Sequence, residues 1–208
     1  VFAQSVEGSL RPVARKVPNI ENHATAPSTD GLKTWVDAFR ERALAQGIAS
    51  NTFDQALNEV RYDAKVIKRD RNQSEFTKTI WDYLDTAVSE LRIANGRAAL
   101  RKWDTTLSLI EKRYGVSRGI LLAIWGRESG FGRAKIPHDA FEVLGTKAFL
   151  ATRKEMFREE VLSALEMVER RGVSPRAMRS SWAGAMGQPQ FMPSSYLKSA
   201  AAAAGDGP

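Results

Sequence analysis

The chain has no cysteine. That excludes disulfides, thiol catalysis and a lipid-bearing Cys within it. It has two histidines, His23 and His138, which cannot make a zinc site without further partners, so no metal is expected. No apolar run approaches the length of a membrane span. No pair of alternating runs suggests a sheet, and no segment repeats. There is also no aromatic-interleaved basic strand, zinc spacing or recognition helix, so nucleic acid is not an expected partner. What remains is a composition ordinary for a soluble globular protein: 208 residues, 43% hydrophobic and 26% charged. The net charge of +7 gives a basic surface, which favours nucleic acid, anionic membrane or an anionic polymer such as cell wall.

Residues 1–29 contain Pro12, Pro18 and Pro27 and hold no sustained period. They read as a tail or linker ahead of a domain over 30–208. The opening Val1-Phe2-Ala3-Gln4-Ser5 resembles the end of a signal peptide with a small-x-small cleavage site after Ala3, a hint of export. From Thr29 onward helical patterns dominate. Leu32, Trp35, Val36, Phe39 and Ala43 form one stripe, closed by Gly47. Ser50 opens a short helix with Phe53, Leu57 and Val60 inward. Residues 61–73 are charge-rich and read as a surface connection. Ser74 opens a helix holding Phe76, Ile80, Trp81, Tyr83 and Leu84. A longer helical region runs to Tyr114, with Asn95-Gly96 as the expected break. An irregular stretch with Pro137, His138 and Asp139 precedes a capping box of Thr152 and Glu155. The helix it opens carries Met156, Val161, Leu165 and Val168 and ends near Gly172. The expected fold is mainly α, with few or no strands.

Chemistry concentrates in two stretches. In Ile124-Trp125-Gly126-Arg127-Glu128-Ser129-Gly130-Phe131-Gly132, Ile120, Leu121, Ile124 and Trp125 share one helix face. Ser117 is the expected N-cap and Gly130 the stop, which puts Glu128 in the last turn. The helix dipole there disfavours an ionised carboxylate, and burial beside Trp125 and Phe131 would act in the same direction. A general acid near neutral pH needs that raised pKa. The alternative is a surface Glu near a helix end. The second stretch runs from Ser181 to Tyr196. Gly184 and Gly187 permit close backbone approach, and Pro189 and Pro193 fix turns. Trp182, Met186, Gln190, Phe191 and Met192 together suit a floor for a sugar, an apolar face with an amide that both donates and accepts. A tightly packed helix-turn-helix corner would use similar residues. Trp35, Trp81, Trp103 and Trp125 are expected in the core, with Trp182 facing the cleft.

An ordinary glycosidase uses two carboxylates about 5–10 Å apart. Near the two stretches only Asp139 and Glu142 are candidates for the second. A one-carboxylate route suits the sequence better. In it the substrate's own N-acetyl group stabilises the cation.

These stretches resemble the lytic murein transglycosylases of the membrane-bound lytic transglycosylase B type. Glu128-Ser129-Gly130-Phe131-Gly132 is similar to that family's E-[ST]-x-[FW]-G motif. Ser181 to Tyr196 is similar to its G-S-[WF]-A-G-A-M-G-x-x-Q-F-M-P-S-S-Y motif, with Ser180 in place of the usual first Gly. Arg71-Asn72-Gln73-Ser74-Glu75-Phe76, Trp81, Tyr83, Gly96 and Tyr114-Gly115-Val116 resemble its approach to the catalytic helix. Val143 to Ala148 follows the family only in part. The resemblance covers roughly residues 31–207. It implies a lysozyme-like domain that cleaves peptidoglycan between N-acetylmuramic acid and N-acetylglucosamine, leaving a 1,6-anhydro end. It implies Glu128 as the single catalytic acid, with Ser181, Met186, Gln190 and Phe191, and more loosely Tyr83 and Arg153, along the glycan cleft. Peptidoglycan strands are the implied partner, the periplasm the implied location, and no cofactor is implied. Family members continue past Gly205-Asp206-Gly207 with a further cleft wall, so the domain is expected to be incomplete at its C-terminal side. Some members bind Ca²⁺ near that point; with Asp206 alone in an alanine-rich run, too few oxygen ligands are available here. Two alternatives stay open: a wall-binding or scaffold protein without turnover, and a hydrolytic muramidase.

Overall fold

A computed structural model describes residues 27–71 and 79–201. The expectations for the tail and its signal site, His23, Asn72 to Phe76, the helix start at Ser74, and Gly205 to Gly207 lie outside the described residues. The chain is helical, as the patterning implies. Helix α1 (Thr29–Ala45) is N-capped by the Ser28 hydroxyl, which accepts from Gly31 N. It buries Leu32, Val36, Phe39 and Ala43, with Trp35 packed beside them. Helix α2 (Ser50–Leu57) buries Phe53 and Leu57, and Val60 follows them inward. Ser50 opens this helix without capping it: Ala49 is the N-cap and makes no side-chain cap bond.

Residues 64–71 depart from the expected surface connection. They form helix α3 (Ala64–Arg71), which buries Val66 and Ile67. Its Asp70 pairs with Lys147 at 2.7 Å, and both side chains are nearly removed from solvent, at 11% and 3% exposed. The charge-rich composition hid two apolar anchors and one ionic one. Helices α4 (Ile80–Ala87), α5 (Glu90–Lys102) and α6 (Asp104–Tyr114) follow. The breaks fall at Val88-Ser89 and at Trp103, not at Asn95-Gly96. Ser89 caps α5 through Arg92 N, and α5 runs straight through Gly96. Helix α7 (Arg118–Ser129) begins at the N-cap Ser117 and stops at Gly130 in the left-handed region, both as expected.

The next helix, α8 (Ala140–Leu150), was not among the expected elements, although Asp139 caps it. It is buried along nearly its whole length, with Phe141 and Leu144 at 1% and 0% exposure. A helix apolar on all sides has no amphipathic period to detect. Each such side chain contributes roughly 1.5–3 kcal/mol by leaving water. Helix α9 (Lys154–Arg171) packs along α8 and ends at Gly172. Its Val161, Leu165 and Val168 are buried, but Met156 is exposed. The expected capping box is not formed. The N-cap is Arg153, with no side-chain bond, and Glu155 pairs with Arg42 and Arg158 instead. A single 3-10 turn (Pro175–Ala177) precedes strand β2 (Arg179–Ser180), which pairs antiparallel with β1 (His138–Asp139). Helix α10 (Pro193–Ser199) closes the described chain. Buried Glu160 accepts from Ser194 N at 2.9 Å and from its hydroxyl at 2.6 Å, which fixes the start of α10.

Among the described residues most buried apolar side chains fall in two clusters. The larger joins α1, α2, α8 and α9 around Phe53, Phe141, Leu144 and Leu165. The smaller joins α5, α6 and α7 through Ala99, Leu107 and Leu122, with Leu121, Trp125 and Phe131 against them. The inward face of α7 is therefore Leu122, Gly126 and Ser129, and Ile120 and Ile124 stand 56% and 53% exposed. Both faces of α7 are apolar, so spacing alone could not choose between them. Trp81 and Trp103 are exposed as well, against expectation.

Candidate active site

Each residue after Glu128 in its motif has a visible structural task. The Ser129 side chain is buried; its hydroxyl accepts from Gly132 N at 3.1 Å and donates weakly to Trp125 O at 3.4 Å. Gly130, Phe131 and Gly132 turn the chain away from α7 with φ of 57°, 61° and 78°. A bulky residue in the left-handed region is strained. Phe131 is held there by its ring, which meets Trp125 edge-on at 5.7 Å between centroids. The ring also covers Gly126 so closely that a Cβ there would sit 2.5 Å from Phe131 Cζ. Trp125 also meets Trp103 edge-on, at 6.4 Å.

Glu128 sits in the last turn of α7 and is exposed. The expected burial beside Trp125 and Phe131 is not found, because those rings pack on each other and on the smaller cluster. Among the described residues Glu128 makes no hydrogen bond or ion pair.

The second stretch forms a compact loop on the larger cluster. Ser181 N donates to Ala185 O at 2.8 Å. Met186 and Phe191 exchange backbone bonds of 2.8 and 3.1 Å. Gln190, at φ 53°, donates its side-chain amide to Gly187 O at 2.9 Å. Met186 and Met192 pack down on the larger cluster, whereas Phe191 is 37% exposed. Ser181, Met186, Gln190 and Phe191 thus share one loop. Trp182 is partly buried over the Lys147 ammonium, 5.2 Å from the ring centroid.

The loop meets α7 directly. Trp125 Nε1 donates to Gln188 Oε1 at 2.8 Å, and Gln188 lies against Gly132, where a Cβ would come within 2.7 Å of that same oxygen. Gly132 is needed both for its positive φ and for this approach. The end of α7 and the Gly- and Met-rich loop are therefore one site. Gln188 was not among the residues expected here, because it falls at an unspecified place in the motif. Arg153 lies exposed just before α9, next to Thr152, whose N–H faces Asp70 at 3.4 Å. Tyr83 belongs to α4, and its side chain lies outside what the structure describes. Of the possible second carboxylates, Asp139 caps α8 by accepting from Phe141 N and Glu142 N at 2.9 and 3.1 Å. Glu142 lines a separate polar cavity with Lys33, Arg61 and Arg176. No group of three or more potential metal ligands occurs among the described residues.

A 126-residue stretch is 34% identical to the membrane-bound lytic murein transglycosylase B of Escherichia coli (strain K12), covering 60% of this chain and 35% of that protein. The fold matches SltB3 from Pseudomonas aeruginosa in complex with NAG-NAM-pentapeptide, with a TM-score of 0.80 and 38% identity over 84% of this chain and 47% of that one. It also matches SltB3 in complex with NAG-anhNAM-pentapeptide, with a TM-score of 0.76 and 38% identity over 80% and 44% of the two chains. The lysozyme-like expectation for the fold is met. The chain spans about a third of that curated relative and less than half of the solved SltB3 chains. Residues 31–208 match the family described as Transglycosylase SLT domain, and the chain belongs to it.

Proposed function

We propose that this chain carries the catalytic region of a peptidoglycan lytic transglycosylase. One observation carries the reading: Glu128 is the motif residue without a structural task, and it stands exposed beside a sugar-suited loop tied to its own helix. In the proposed reaction the protonated Glu128 gives its proton to the glycosidic oxygen as the C1–O bond of N-acetylmuramic acid breaks. The substrate's N-acetyl group stabilises the cation. Glu128, now a carboxylate, takes the C6 hydroxyl proton while O6 bonds to C1 and closes the 1,6-anhydro ring. No water is consumed and Glu128 recovers its proton. The intramolecular attack draws on high effective molarity in place of a bound water. The capping role of Asp139 and the separate surroundings of Glu142 support a route with one carboxylate. Ser181, Met186, Gln190 and Phe191 are assigned to the glycan cleft, with Arg153 and Tyr83 as outer contacts. The scheme uses no cofactor. Its substrate lies in the periplasm, and export with cleavage after Ala3 is part of the proposal.

The test is release of muropeptides from purified sacculi. Wild type releases them, and Glu128→Gln, which keeps shape but cannot cycle a proton, loses at least about a thousandfold in rate. Undiminished release by Glu128→Gln refutes the assignment. The solvent exposure of Glu128 favours one other reading, a glycan-binding module without turnover. Retention on sacculi with no soluble product from wild type would establish that reading instead.

A further inference from the structure

We infer that Gln188 is a positioning residue that sets the catalytic end of α7 against the glycan loop. The inference rests on the function proposed above. Glu128 and the loop belong to different hydrophobic clusters, with α7 on α5 and α6 and the loop on the α8–α9 core. Nothing in the packing of either cluster by itself fixes the separation between the two walls of the cleft. The Trp125–Gln188 hydrogen bond spans that separation. Its donor ring packs edge-on with both Trp103 and Phe131, so the indole N–H has a defined direction. Its acceptor lies against Gly132, where a Cβ would come within 2.7 Å of Gln188 Oε1.

Gln188 is exposed, so a neutral hydrogen bond there adds little to global stability. Its effect falls on geometry. One carboxylate must reach the glycosidic oxygen and then the C6 hydroxyl of a sugar lying on the loop. Both reaches depend on the distance between wall and wall. A displacement on the order of 1 Å in such a site costs up to about a hundredfold in rate.

The test uses Gln188→Met, which keeps length without the acceptor, Trp125→Phe, which removes the donor, and the double variant. The Trp125 indole N–H resonance is identified by its loss in Trp125→Phe. In Gln188→Met it is expected to shift upfield and to exchange faster with water. Turnover on glycan strands is expected to fall about tenfold in kcat, with KM changed less than about twofold, for each single variant. The double variant should be no slower than the worse single one, because both remove the same bond. An indole signal unchanged by Gln188→Met overturns the inference. So does a wild-type kcat in that variant, and so do losses that multiply in the double variant. A wild type without turnover refutes the functional reading, and the indole signal then decides the clasp by itself.

Discussion

In Glu128-Ser129-Gly130-Phe131-Gly132 the expected helix end is present, but the expected burial of Glu128 is not. The helix end and its stop at Gly130 were legible, because Ser117 and Gly130 are local signals. The surroundings of Glu128 were not, because they depend on which face of an all-apolar helix turns inward. Leu122, Gly126 and Ser129 won that contest, and the carboxylate stays in solvent. Gln188 was illegible for another reason: its importance comes from a partner in sequence far away, Trp125. Two substitutions separate structure from chemistry at this scale. Gly126→Ala gains up to about 1 kcal/mol of helix propensity, but its Cβ must displace the Phe131 ring. Overpacking of this kind costs about 1–3 kcal/mol. The ring is pinned by Trp125, so overpacking should prevail and lower the denaturation midpoint. Glu128→Gln, at an exposed position, should change stability by less than about 0.5 kcal/mol. Urea titration of both variants checks the contrast.

Helix α8 and helix α3 show where element reading fails. α8 is buried on nearly every side and so shows no face, and α3 is too charged to look buried. They are joined by the Lys147–Asp70 pair, with the ammonium also over Phe157 at 4.5 Å. Lys147→Met should cost about 3–5 kcal/mol, because Asp70 is left buried without its cation. The double change Lys147→Met with Asp70→Leu should recover most of that loss, since an apolar pair needs no compensation. Equilibrium unfolding of the three proteins measures both. The α1–α2 contact is tested by acid. Arg40 donates to Asp54 through both guanidinium nitrogens, one at 3.0 Å, and holds that carboxyl below the ordinary aspartate value of 3.8. A lowered carboxylate pKa stabilises the fold at pH above the ordinary value. That stability disappears as pH falls through the lowered value. Both side chains are about a third exposed, so the effect is small. Melting temperature followed between neutral and acid pH should drop more steeply for wild type than for Asp54→Asn.

At the scale of the molecule, hydrophobic periodicity and caps implied the helical class, and the two motifs suggested the candidate site. What composition could not show is that the two motifs sit on separate hydrophobic clusters and meet at their edges. The net charge of +7 has its own consequence. Retention on purified sacculi should weaken as salt is raised from low to physiological ionic strength, because exposed charges are screened beyond about 8–10 Å. Co-sedimentation at graded salt reads this directly, and salt-independent retention would assign binding to the cleft alone. The central claim is that one carboxylate serves as acid and then as base, with the sugar's own hydroxyl as nucleophile. The most direct measurement is the mass of the products that wild type releases from purified sacculi. Wild type is expected to release muropeptides with anhydro ends, one water lighter than hydrolysis products, and Glu128→Gln none. Products carrying free reducing ends would contradict it.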